Sequence, residues 1–263
     1  MASNMVPNYE VKLLMKPSVV LGSDDKLENT VLSTFSMPAS VKKINVQFLD
    51  TDTRQIYDRG WSPRIRKMEG DDDFELTYKK RYSISDGHDG KIEDNIDAAL
   101  TLAKNEGFDS TTTYRAQVEL GHRKETLSIS HEVSYRNSSS NEIKLPDESV
   151  SREILISNAP GMFKNWSSEN WGTKKLAASR IYGPIRATRS KGKWEGMSLF
   201  IEVWPIKKSR VDTRIEHIVE ASFKTPSLPT ALQEREKLAA FLQSKDWLLA
   251  GDSSKTSLIM ERY

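Results

Sequence analysis

The chain has no cysteine among its 263 residues, which excludes disulfides and thiolate metal ligands and agrees with a reducing compartment. An excess of either charge is also missing. The 39 lysines and arginines stand against 37 acids, a formal net charge of +2, so there is no general attraction to nucleic acid or to an anionic membrane, and neither is an expected partner. No apolar run approaches the length that crosses a bilayer, and the opening Met-Ala-Ser-Asn-Met-Val-Pro lacks the charged-then-apolar layout of a signal peptide. A cytoplasmic protein is the expectation. No Gly-x-Ser-x-Gly elbow supports a serine nucleophile, and His88, His122, His131 and His217 have no metal-ligand spacing. With no repeat or low-complexity tract and 37% hydrophobic residues, residues 1–263 read as one domain.

What the chain does have is charge on the faces of its strands. Side chains two apart in a strand point the same way, so Asn8-Tyr9-Glu10-Val11-Lys12 places Asn8, Glu10 and Lys12 on one face. The habit recurs in Arg64-Ile65-Arg66, at Lys79 after Leu76-Thr77-Tyr78, and at Arg189 and Lys191. It recurs again at Glu202 within Leu199-Phe200-Ile201-Glu202-Val203-Trp204 and at Glu220 within Ile218-Val219-Glu220-Ala221-Ser222. A buried ion is costly unless it meets an opposite charge, a metal or a charged ligand. Several strands aiming ions at one interior imply a polar cavity for a polyanion.

Strands are expected over 8–16, 42–50, 63–68 and 74–82, with Asp71-Asp72-Asp73 as a solvated hairpin tip. A capped helix is expected over 27–35 and another over 95–106, closed by Gly107. Residues 84–93 read as loop, and 114–120 with 127–136 as a strand pair whose Tyr114, Arg115, Gln117 and Glu119 are structural. Residues 138–148 are polar loop; 150–156 and 171–181 are helical, with Trp166 and Trp171 packing them on a barrel wall. Strands follow over 185–193, 198–206 and 214–224, then a helix over 231–244 and a last strand over 256–260. Mostly hairpin-linked strands with helices at the connections predict an α+β fold.

The order of these charged elements resembles the CYTH superfamily, the triphosphate tunnel metalloenzymes that include thiamine triphosphatases and CyaB-type adenylyl cyclases. The family's N-terminal Glu-x-Glu-x-Lys strand is matched by Asn8-Tyr9-Glu10-Val11-Lys12, and its Leu-Arg-x-Arg element by Pro63-Arg64-Ile65-Arg66 after Phe48-Leu49-Asp50-Thr51. Leu76-Thr77-Tyr78-Lys79, Ala187-Thr188-Arg189-Ser190, Phe200-Ile201-Glu202-Val203 and Ile218-Val219-Glu220 resemble its later strands. Leu228-Pro229-Thr230 and Ser254-Lys255-Thr256 resemble the closing helix and lysine strand of thiamine triphosphatases. Residues 84–180 look expanded against the family pattern.

The resemblance implies a closed antiparallel barrel of about eight strands with helices packed outside. It implies that Lys12, Arg64, Arg66, Lys79, Arg189 and Lys255 bind a phosphorylated small molecule, the first four also acting in catalysis. It further implies that Glu10, Glu202 and Glu220 hold Mg2+ or Mn2+ for hydrolysis of thiamine triphosphate, inorganic triphosphate or a nucleoside triphosphate. Two positions depart from the pattern: Asn8 and Ile218 stand where the family has glutamates. An uncharged amide and an alkyl chain weaken a divalent site, which keeps open two alternatives. One is a repurposed lyase, isomerase or cyclase acting on an organic diphosphate or another anionic metabolite; the other is a non-catalytic polyphosphate binder.

Overall fold

The structure is a computed structural model, describing residues 5–84, 91–109, 113–136 and 143–263. The first four residues, most of the 84–93 loop with His88, and the start of the 138–148 loop lie outside the described residues.

Nine strands are present: β1 (Asn8–Met15), β2 (Lys42–Asp50), β3 (Trp61–Met68), β4 (Phe74–Ile84), β5 (Arg115–Leu120), β6 (Glu125–Tyr135), β7 (Arg180–Trp194), β8 (Met197–Lys207) and β9 (Ile215–Thr225). They close into a barrel in the order β1-β5-β6-β4-β3-β2-β7-β8-β9. Eight α-helices are found among the described residues: α1 (Pro17–Val20), α2 (Asn29–Thr34), α3 (Ile92–Asn105), α4 (Glu148–Ser157), α5 (Gly161–Lys164), α6 (Trp171–Ala177), α7 (Leu228–Ser244) and α8 (Lys255–Arg262).

The expected barrel and outer helices are present, but the ring has nine strands and is not wholly antiparallel. A closed ring with an odd number of strands cannot alternate direction throughout, so at least one neighbouring pair must be parallel. That pair is β1 and β5, with Glu10 opposite Glu119, and every other neighbouring pair is antiparallel.

Register shows which side chains share a face. Across the antiparallel pairs Arg64 stands opposite Thr77, Lys79 opposite Ser130, Arg189 opposite Glu202, Glu202 opposite Glu220, and Lys12 opposite Ser222. These residues line the bore. The alternate residues, among them Val11, Leu13, Ile65, Leu76, Val118, Ile129, Ile201, Val219 and Phe223, face outward and are fully or almost fully buried. The main core therefore lies between the outer wall and the helices, with Ile96 and Ala103 of α3, Leu155 of α4, Leu176 of α6 and Leu238 and Leu242 of α7 in the same cluster. This inverts the usual small barrel, whose interior is apolar, and frees the bore for charge.

Trp61 at the head of β3 is the centre of an aromatic group under the helices. Its ring meets Phe163 at 5.2 Å, Trp166 at 5.3 Å, Phe108 at 5.9 Å and Tyr114 at 6.1 Å. Gly192 of β7 lets another connection approach: a Cβ there would sit 2.2 Å from the Phe35 carbonyl oxygen, just past the end of α2.

One helix expectation and one strand expectation need correction. The helix expected to run to Ile181 ends at Ala177, and β7 begins at Arg180. The strand expected over 256–260 is α8. Ser254 caps it by accepting from the Ser257 amide, and Thr256, Ile259 and Met260 fall on one buried helical face. That face meets the inner side of the barrel: Ile259 and Met260 cluster with Ile44, Val46 and Phe48 of β2, Ala187 of β7, and Trp204 and Ile206 of β8. One stretch of the bore is thus filled by apolar packing, and the charged stretch adjoins it. No helix among the described residues is long and apolar enough to cross a membrane.

Candidate functional site

Three groups of ions line the bore. In the first, Lys12 of β1 sits 3.0 Å from Glu10 and 3.0 Å from Glu119 of β5. Lys79 of β4 also reaches Glu119, at 3.2 Å, and the Ser128 hydroxyl donates to the same carboxylate at 2.8 Å. Gln117 donates to Glu10 at 2.7 Å. The parallel β1/β5 pair makes this group, because it puts Glu10 beside Glu119.

In the second group Arg64 and Arg66 of β3 both pair with Glu75 of β4, and Arg64 Nε donates to the Thr77 hydroxyl at 3.2 Å. Arg66 Nε is buried without a hydrogen-bond partner. Arg81 donates to Ser62 at 3.0 Å and reaches across to the Thr256 hydroxyl of α8 at 3.4 Å.

The third group joins β7, β8, β9 and α8. Arg189 grips Glu202 through Nε at 2.8 Å and a terminal nitrogen at 2.5 Å. The Lys255 ammonium, at the first turn of α8, bridges Glu202 at 2.6 Å and Glu220 at 2.8 Å. The Trp204 indole donates to Glu202 at 2.9 Å and its ring lies 4.7 Å from the ammonium.

All nine residues expected at the site therefore lie on the bore or against it. Three more were not anticipated in a binding role: Glu75, Arg81 and Glu119. Strand alternation carried their signal, since Glu75, Thr77, Lys79 and Arg81 share a face, as do Arg115, Gln117 and Glu119. The three groups thus hold seven cations (Lys12, Arg64, Arg66, Lys79, Arg81, Arg189, Lys255) and five carboxylates (Glu10, Glu75, Glu119, Glu202, Glu220), an excess of two positive charges that stays at two when Lys224, 3.8 Å from Glu10, and Glu132, whose charge acts on Arg64, are added.

The fields inside the ring are uneven. Burial pushes the Glu119 carboxyl up, but Lys12, Lys79 and Arg81 outweigh it and hold it well below the usual carboxylate range. Burial likewise opposes the charged forms of Glu202 and Lys255, yet their pairing lowers the one and raises the other. Lys12 is raised against burial by Glu10, Glu119 and Glu220. Lys79 goes the other way. Burial, with Arg81, Lys12 and Arg64 nearby, outweighs Glu119 and pushes its ammonium down to about 8. Lys12 lies between two carboxylates, whereas Lys79 has a share of one, and this difference separates their directions.

A lowered lysine has a definite sign. Below pH 8 Lys79 is charged and its burial opposes folding; as pH rises from about 8 towards the ordinary lysine value of about 10.4, the unfolded chain holds the extra proton and this cost disappears. A bound polyanion would restore the charge. Calorimetric titration of tripolyphosphate at pH 8.5, in two buffers of different ionisation enthalpy, should show wild type taking up more proton than Lys79→Arg, by up to about one per site. Identical uptake would remove Lys79 from the ligand.

Glu10, Glu202 and Glu220 do not fit a divalent cation as they stand. Glu202 already accepts from Arg189, Lys255 and Trp204, Glu220 accepts from Lys255, and Glu10 from Lys12 and Gln117. Among the described residues no three His, Cys, Asp or Glu side chains converge as a metal centre. Asn8 stands at the exposed start of β1, and Ile218 packs against the apolar cluster of α8.

No protein-family model matches this chain, and no curated protein matches it by sequence. Solved structures do match. HpAC1 from Hippeastrum, described as an adenylyl cyclase candidate with a dominant triphosphatase activity, is 15% identical with a TM-score of 0.56, covering 95% of this chain and 93% of that one. A Bacillus halodurans protein described as an adenylate cyclase candidate is 13% identical with a TM-score of 0.51, covering 95% and 96%. At these identities the likeness concerns the fold alone: the chain has the closed-barrel fold of these two proteins.

Proposed function

We propose that the bore binds the triphosphate group of a small-molecule ligand. The observation that carries this is the ring of seven cations with two positive charges in excess, in which the buried Arg66 Nε has no hydrogen-bond partner. A linear triphosphate can exchange for the carboxylates now facing Arg64, Arg66 and Lys79 and the hydroxyls facing Arg81, because phosphate oxygens accept the same charge-assisted, bidentate hydrogen bonds. The guanidiniums of β3 and β4 would take the terminal phosphates, and Lys12 and Lys79 would supply point charges from the adjoining wall. The apolar packing of α8 gives the ligand one closed side.

Hydrolysis is the second reading. It is favoured by the direct opposition of Glu202 and Glu220 on β8 and β9, and the likeness to HpAC1 supports it. It would need Lys255 to withdraw so that these two, with Glu10, could hold Mg2+ or Mn2+, which supplies charge neutralisation at the phosphates when bound.

The test is calorimetric titration with inorganic tripolyphosphate and ATP, paired with phosphate release in Mg2+, Mn2+ and EDTA. Tripolyphosphate should bind, and Arg64→Ala should weaken it roughly 10- to 100-fold, the loss of one or two charged hydrogen bonds. Undiminished binding by a folded Arg64→Ala protein would place the ligand elsewhere. Metal-dependent phosphate release would select the second reading.

A further inference from the structure

We propose that the Lys255 ammonium stands in the position a divalent cation would take between Glu202 and Glu220, so that the tunnel binds its ligand without a metal. The inference deepens, and rests on, the triphosphate reading.

The two carboxylates face each other across β8 and β9, and the ammonium lies between them at 2.6 and 2.8 Å. Both Glu202 oxygens are in use, one by Arg189 and the other by Lys255 and the Trp204 indole. The local charge is already balanced: two carboxylates meet Lys255 and Arg189. A divalent ion added to this set would bring two uncompensated charges into a site where Glu202 and Glu220 are 6% and 5% exposed.

Lys255 is also held from several sides. Ser254 caps its helix, Arg81 reaches the neighbouring Thr256, and Ile259 and Met260 are buried in the inner apolar cluster. At the far end of α8 the Tyr263 carbonyl oxygen accepts from Arg180 at 2.8 Å and its hydroxyl accepts from the Lys207 amide at 3.1 Å. Ile218, one of the two positions where the family's carboxylate is missing, packs against the same inner apolar cluster that buries Ile259 and Met260 of this helix. The loss of that ligand and the presence of a tethered cation go together: an apolar side chain at 218 extends the inner cluster in which the helix carrying the ammonium is seated.

Two measurements test this. Tripolyphosphate is titrated into wild-type protein in EDTA and in Mg2+, and the affinities should agree within about threefold. Binding that appears only with Mg2+ overturns the inference. Separately, free Mn2+ is followed by electron paramagnetic resonance. Wild type should leave Mn2+ free, whereas Lys255→Ala and Lys255→Met, each checked by circular dichroism, should bind it at least tenfold more tightly through the exposed carboxylate pair. Mn2+ binding by wild type as tight as by the variants also overturns the inference. If tripolyphosphate binds in neither medium, the triphosphate reading falls, and the Mn2+ comparison still decides what Lys255 does.

Discussion

Glu119→Gln is expected to cost about 3–5 kcal/mol of stability and, at the same time, to tighten tripolyphosphate binding. Glu119 is the common partner of two lysines from different strands, Lys12 of β1 and Lys79 of β4, and a third donor comes from Ser128 of β6. Its side chain is 14% exposed, so water cannot take over when the carboxylate goes. An amide oxygen can satisfy one lysine but neutralises neither. The folded state would keep Lys12 and Lys79 facing each other with that counter-charge gone, which pushes the already lowered Lys79 further down and is the expensive way to break a buried ion pair. The same change takes one negative charge out of the ring, and a polyanion, whose binding would restore the Lys79 charge, is the partner that relieves it. An affinity gain of roughly tenfold would correspond to about 1.4 kcal/mol recovered on binding.

The pH dependence has a fixed sign. Because the native carboxyl is held well below its ordinary value, the stabilisation is complete above the ordinary glutamate value of about 4.3 and fades only as pH falls through the lowered one. Urea melts at neutral pH should therefore show the full gap between wild type and variant, and melts in strong acid should show it closing. Titration calorimetry at one fixed salt concentration reads the other half. A folded Glu119→Gln protein that binds tripolyphosphate more weakly than wild type would mean that the anion does not sit among these cations.

The opposite directions of the two effects show what the sequence could and could not tell. Charge at alternate strand positions is abnormal enough to be read directly, and Glu10, Lys12, Arg64, Arg66, Lys79, Arg189, Glu202 and Glu220 were found that way. Their pairing was not legible. Whether Glu119 is structural or part of the ring depends on β5 lying beside β1, and that neighbourhood comes from closing a nine-stranded ring, a property no local stretch carries. The final element failed for a related reason. Thr256-Ser257-Leu258-Ile259-Met260 is short and apolar, as a buried strand would be, and length alone does not separate the two. The helix is decided by the Ser254 cap and by the apolar inner faces of β2, β7 and β8, which need Ile259 and Met260 on one side.

The outer core makes the complementary case. Trp61→Ala is expected to cost about 3–5 kcal/mol while leaving the affinity of the folded fraction for tripolyphosphate unchanged. Trp61 is fully buried on β3, yet it belongs to the wall's outer face, where Phe108, Tyr114, Phe163 and Trp166 hold α3, β5 and α5 together around it. Removing the indole leaves a large void that its four aromatic neighbours cannot refill without shifting a helix off the barrel. Bore-facing positions further along the same strand carry Arg64 and Arg66, whose partners Glu75 and Thr77 lie on β4 and owe nothing to the indole. Stability and binding should thus separate by strand face. Thermal melts would show the loss, and calorimetry well below the new melting temperature would show the retained affinity. If the melt barely moves, the aromatic group is not what fastens the helices; if affinity falls with stability, the bore depends on the outer packing and the two faces are not independent.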